Sequence, residues 1–146
     1  MKHIANQLLA HCRRVPRSLR QLSETDWAHR PAPGKWSKKE IIGHLIDSAA
    51  NNHQRFVRAQ RDERPIVSYA QDDWVRIEDF QAADARQLLR LWEAYNRHLA
   101  HVISKIPPEN LAKPLVMGGK EVTLQWCVED YLRHLEHHLA GMRDEG

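Results

Sequence analysis

Asp84-Ala-Arg-Gln-Leu-Leu-Arg-Leu-Trp-Glu-Ala-Tyr-Asn-Arg-His-Leu-Ala-His-Val-Ile-Ser-Lys-Ile106 decides the fold class, because Leu88, Trp92, Tyr95, Leu99, Val102 and Ile106 recur in alternating steps of four and three. That rhythm is the seam of a helix packed lengthwise against other helices. Asp84 with Gln87 three residues on is a capping signal at its start, and Pro107-Pro108 ends it. A helix with one apolar stripe needs neighbours, and the flanking sequence supplies them.

Upstream, Ser37 and Glu40 form a capping box opening a helix that runs to about Arg61, with Ile41, Ile42, Leu45, Ile46, Ala49, Phe56 and Val57 toward the core. Before it, Ile4, Leu8, Cys12, Val15, Leu19 and Leu22 follow a helical period that Pro16 is expected to kink or split. Residues 24–35, with Pro31, Pro33 and Gly34, and residues 63–83, with Pro65 and many charges, read as connections. Downstream, Leu115 to Val122 around Gly118-Gly119 suggests a small hairpin. Thr123 is the N-cap of a last helix that should end near Gly141 in a left-handed C-terminal turn. Four striped helices in 146 residues point to an all-α four-helix bundle, a single domain over residues 1–146.

Composition excludes more than it selects. The net charge of +3 is scattered, with no basic block interleaved with aromatics, so no nucleic-acid partner is expected. No apolar run reaches membrane-span length, and Met1-Lys-His-Ile-Ala-Asn6 lacks a signal-peptide core. No membrane association is expected, and the cytoplasm is the expected location. Cys12 and Cys127 stand far apart in no C-x-x-C pattern, consistent with reduced thiols; Cys127 reads as core.

Chemistry concentrates in Tyr131-Leu-Arg-His-Leu-Glu-His-His-Leu139. His134 and His138 lie one helical turn apart, a spacing that can grip one metal ion and that equally suits two boundary residues bonded to nearby carbonyls or carboxylates. The helical phase puts His138 inside the apolar arc, His134 at its edge roughly 100° from the centre, and His137 pointing away. Leu135 stands where H-E-x-x-H requires Glu, so a metalloprotease reading is poor. A third histidine, His44, falls beyond the apolar arc of its helix on a strip with Glu40, Asp47, Ser48 and Asn51, and pattern alone places it on a solvent face.

Taken in order, Pro33-Gly-Lys-Trp-Ser37, Ile41-Ile-Gly-His-Leu-Ile-Asp-Ser48, Pro65-Ile66, Tyr69-Ala-Gln-Asp-Asp-Trp74 and Tyr131 to Leu139 resemble the DinB superfamily, and within it the YfiT-like group of metal-dependent hydrolases and bacillithiol transferases. The resemblance implies a four-helix bundle, a homodimer, and a divalent metal, zinc or nickel, held by His44, His134 and His138. It implies an enzyme acting on a small-molecule substrate through activated water, as a hydrolase, or through a low-molecular-weight thiol, as an S-transferase. The rival is a non-catalytic metal-binding protein acting in stress or by interaction. Trp36 is expected to pack at the helix entry. Tyr69, Gln71 and Trp74 read as pocket wall or structural anchor, and Asp47 and Asp130 as groups able to orient metal-bound histidines or as ordinary helix-surface carboxylates.

Overall fold

The computed structural model describes residues 1–144, so the last two residues of the expected domain lie outside the described residues. Helices α1 (Lys2–Leu19), α3 (Lys38–Arg61), α5 (Ala85–Ser104) and α6 (Leu124–Asp144) form the bundle. Two short helices, α2 (Glu24–Ala28) and α4 (Gln71–Glu78), and a two-stranded sheet, β1 (Pro114–Met117) and β2 (Lys120–Thr123), sit in the connections. Helix α1 packs mainly on α5 and α6, and α3 packs on the same two. The first pair therefore occupies one diagonal of the bundle and the second pair the other. Two connections, residues 20–37 and 105–123, must cross a diagonal, which explains their length.

Each helix start follows from its sequence. Ser37 Oγ accepts from Glu40 N at 3.1 Å and Glu40 Oε1 accepts from Ser37 N at 3.0 Å, the reciprocal capping box. Asp84 caps α5 through Gln87 N at 3.0 Å, and Thr123 caps α6 through Trp126 N at 3.1 Å. The hairpin pairs Pro114 with Thr123 and Met117 with Lys120, and its turn residues Gly118 and Gly119 both take positive φ, 56° and 77°. One continuous apolar core joins the four long helices, with Leu8, Ile42, Phe56, Trp92, Leu99, Ile103 and Leu135 fully buried.

Several expectations change. Pro16 does not split α1; the helix runs through it, and the Pro16 carbonyl accepts from Arg20 N at 3.0 Å. Helix α6 passes Gly141 without a left-handed turn and buries Met142 against the core. In α5 the buried line is Ala85, Leu89, Trp92, Asn96, Leu99, Ala100 and Ile103, while Leu88, Tyr95 and Val102 sit half-buried at its edge. The adjacent pairs Leu88-Leu89 and Val102-Ile103 leave the phase ambiguous by one residue, and polar Asn96 conceals the true stripe. It is tolerated there because its Nδ2 donates to the Trp92 carbonyl at 2.9 Å and its Oδ1 accepts from the Tyr131 hydroxyl.

The largest departure concerns α3, whose expected solvent strip is covered. Glu40, His44, Asp47, Ser48, Asn51, Asn52 and Arg55 are all buried, and the expected core residue Val57 is 46% exposed. Residues 63–83, expected as a plain connection, fold back as α4 and a 3₁₀ turn at Phe80–Ala82 onto this face. Phe80 inserts its ring over Gly43, where a Cβ would overlap the ring. Gly43→Ala is therefore expected to destabilise the protein by about 1 kcal/mol net, overpacking of about 2 kcal/mol outweighing a helix-propensity gain of about 1 kcal/mol. A lower urea midpoint at unchanged slope checks this; an unchanged or raised midpoint contradicts the packing account.

Candidate metal centre

His44 is fully buried on α3, and His134 and His138 reach it from α6, so the three expected histidines meet. One ring nitrogen from each lies within 4.8 Å of the others. His44 Nε2 and His134 Nε2 face each other at 3.2 Å. The ring centroids of His44 lie 5.1 Å from His134 and 4.9 Å from His138. The helical-phase reading of α6 stands, since His134 and His138 turn inward and His137 is exposed.

His44 was expected on a solvent face, and the correction has a physical reason. A helical wheel assumes one covered side, whereas α3 is covered on two, by α5 and α6 and by the folded-back segment. The entry to α3 is fastened firmly. Arg30 clamps Glu40 with two parallel bonds, Nε to Oε1 at 2.9 Å and Nη2 to Oε2 at 3.0 Å. Buried Lys39 pairs with Glu24 and donates to the Gln81 carbonyl at 3.2 Å, and Ser37 Oγ donates to Gln81 Oε1 at 2.7 Å. Trp36, expected only to pack at this entry, also lays its ring against the site, 4.8 Å from the His44 ring and 6.2 Å from His138.

The electrostatics keep the imidazoles neutral. Burial, reinforced by the two other histidines, lowers His44 to about 3. Burial, followed by His134 and His137, lowers His138 to about 4. His134 is also lowered by burial, with the Asp130 charge pulling the other way. Neutral imidazole is the form that donates to a metal. Two nitrogens on one tetrahedral zinc, each at about 2.0–2.1 Å, would stand about 3.3 Å apart, close to the separation of the His44 and His134 pair. The donor set thus fits a divalent ion, and His44 Nδ1 is left without a hydrogen-bond partner among the described residues.

Beside His134 opens a cavity of about 270 Å³ lined by Ser48, Asn52, Arg55, Tyr69, Gln71 and Gly118, with Asp130 and Tyr131. Tyr69 and Gln71 are therefore pocket wall, and Trp74 stacks edgewise on Tyr69 at 5.3 Å. A second, wider cavity of about 680 Å³ reaches His138 from the side of Trp36, Lys35 and Asp72. Asp47 does not orient the trio. It is buried, burial and the facing Glu78 carboxyl raise its pKa, and its Oδ2 is unpartnered among the described residues. Asp130 pairs with Arg133 at 3.6 Å and acts on His134 through charge. Cys127 is core, its thiol pushed up to about 12 by burial. Asn52 and Arg55 give the sequence no signature, because each sits where a helix surface would place it, and Ser48 is marked only as the end of the Ile41–Ser48 segment.

Histidines whose folded pKa lies below the unfolded value of about 6.5 are bound by fewer protons folded than unfolded. The stability they permit is complete above pH 6.5 and is lost as pH falls toward 3–4. Asp47 has the opposite sign: its raised pKa costs stability as pH rises above its unfolded value near 4. Metal-free protein should lose stability steeply on acidification below pH 6.5, and Asp47→Asn should gain stability at pH 8 relative to the parent while gaining less at pH 5. Chemical denaturation across pH 4–8 reads both slopes; a flat profile would mean the histidines take up protons in the fold as they do in the unfolded chain.

Comparison with known proteins agrees with this architecture. The profile of the DinB superfamily matches residues 7–142. A protein of Oceanobacillus iheyensis named "Putative metal-dependent hydrolase OB0413" is 24% identical over 140 residues, covering 94% of this chain and 80% of the relative. The solved structure of YfiT from Bacillus subtilis, titled a probable metal-dependent hydrolase with an unusual four-helix bundle topology, superposes with a TM-score of 0.88 at 19% identity over 99% of this chain and 85% of that one. A mycothiol-dependent maleylpyruvate isomerase superposes at 0.73 with 13% identity, over 94% of this chain and 57% of its own length. The profile match spans all four bundle helices and both histidine-bearing elements, and the chain belongs to the DinB superfamily.

Proposed function

We propose that this protein is a metal-dependent enzyme in which His44, His134 and His138 hold one divalent ion, zinc or nickel, to activate water or a low-molecular-weight thiol against a small-molecule substrate. The observation that carries this reading is the convergence of three desolvated imidazoles from two helices, with His134 in the wall of one cavity and His138 in the wall of another. When bound, such an ion supplies a Lewis acid with open positions that lowers the pKa of water or a thiol.

The chain's own residues do the rest. The α3 entry knot of Arg30, Glu40 and Lys39 sets the height of His44, and the rigid turn of α6 sets the spacing of the other two. Trp36 lies over His44 and lines the wider cavity beside His138. Ser48, Asn52, Tyr69 and Gln71 offer hydrogen bonds that orient a substrate beside His134. The names of the hydrolase relatives and the thiol dependence of the isomerase support both nucleophiles, and the same three histidines serve either.

Protein purified without a metal-affinity tag should carry or take up about one divalent ion per chain, measured by elemental analysis after loading with Zn²⁺, Ni²⁺ or Mn²⁺. His44→Ala, His134→Ala and His138→Ala should each abolish tight binding, and His137→Ala should match the parent; equal damage from His137→Ala would overturn the ligand set. Loaded protein should accelerate thiol addition to an electrophile or hydrolysis of a small ester or amide, with the rate lost in His44→Ala. Stoichiometric metal without turnover over a broad panel would instead favour a non-catalytic metal-binding role.

A further inference from the structure

Arg55 is a buried cation without an anion. Its residue exposure is 8%, and no carboxylate pairs with it among the described residues. Its Nε and Nη2 both donate to the Val67 carbonyl, at 3.1 and 2.7 Å, and its Nη1 donates to Asn52 Oδ1 at 3.2 Å. Those three bonds to neutral oxygens leave two of five guanidinium N–H groups free. An arginine withdrawn from water to this extent ordinarily has a carboxylate or phosphate beside it, because neutral partners recover only part of the lost hydration. The carboxylate that lines the same cavity, Asp130, is paired with Arg133.

Placement gives the free donors a purpose. Arg55 lines the cavity that also contains His134, and on α3 it stands eleven residues beyond His44, about three turns on and within roughly 20° of the same face. Ser48 and Asn52 lie between them on that strip and also line the cavity. The Cα atoms of His44 and Arg55 are separated by about 16 Å along the helix axis, so a ligand touching both ends must be elongated. The cavity volume of about 270 Å³ lies near the lower end of the ~300–1,000 Å³ usual for small-molecule sites, which points to a small ligand.

We infer that Arg55 is the anion-recognising residue of this site, and that the cavity takes a small carboxylate whose acid end meets the guanidinium while its reacting end lies at His44, His134 and His138. The inference rests on the metal-centred reading for the reacting end alone. The acid end depends only on this chain. A planar carboxylate can accept both free N–H groups at once, which a primary amide of the same shape cannot do, since one of its two polar atoms is itself a donor.

The test uses ω-mercaptocarboxylic acids of three to six carbons and their primary amides, titrated by calorimetry into metal-free and zinc-loaded full-length protein. Acids should bind at least about tenfold tighter than amides in both forms, the size expected for a charge-assisted hydrogen-bonded contact. The longer chains should bind best, and zinc should tighten acids and amides alike. Arg55→Met should bring the acid-to-amide ratio to about one without reducing zinc content, and Arg55→Lys should retain a smaller preference. If Arg55→Met does not fold, Arg55→Gln keeps a donor for Val67 and should give the same loss. Equal binding of acid and amide by the parent, or a ratio that survives loss of Arg55, would overturn the inference. Inorganic phosphate competing as well as the acids would reassign the anion to phosphate and overturn the carboxylate assignment. Absence of zinc tightening with the acid preference intact would count against the metal reading and leave this one standing.

Discussion

Everything in this protein depends on α3 being surrounded. A helix with apolar residues on one side and a polar strip on the other ordinarily turns the strip to water, but here both sides are covered, so each polar group needs a protein partner. Glu40 finds Arg30 and the Ser37 backbone; Asn51 Nδ2 donates to the Asp47 carbonyl at 2.9 Å; Asn52 Nδ2 donates to the Ser48 carbonyl at 2.8 Å. Two atoms of α3, His44 Nδ1 and Asp47 Oδ2, find none among the described residues and lie one turn apart, and Trp92 Nε1 on α5 is a third such buried atom. Each such atom carries a desolvation cost that the rest of the packing offsets.

The covering segment is what makes this arrangement possible and what the sequence hides best. Caps, hairpin and helix phases follow local rules, so Ser37, Glu40, Thr123, Gly118 and the inward turn of His134 and His138 could be read without coordinates. Burial of His44 could not, since Trp36 and the two α6 histidines close on its ring while Phe80, some forty residues away, settles on the neighbouring Gly43. The same cause explains Arg55, whose surface-like position on a helical wheel becomes interior once Val67 crosses it. In α5 the misreading was of another kind: a buried asparagine with a precise partner, Tyr131, looks like a break in the stripe when it is the middle of it.

The histidine cluster was legible as a possibility from spacing, and as an expectation from the order of its flanking motifs. Its character was not. Depressed pKa values come from desolvation by side chains distant in sequence, and the proximity of Trp36 to two of the rings comes from a connection whose prolines and glycine say only that it turns. Short-range pattern locates the donors; long-range packing decides whether they are charged.

The hairpin tip has a consequence for divergence within such a fold. Leu115 anchors β1 in the core, but Gly118 and Gly119 turn in open space, and Gly118 forms part of the cavity rim. Residues inserted at that turn would alter the shape and reach of the cavity mouth without touching a helix–helix contact or a histidine. One stretch of the cavity rim can thus change length at the hairpin while the bundle, which carries Ser48, Asn52 and Arg55, is inherited unchanged.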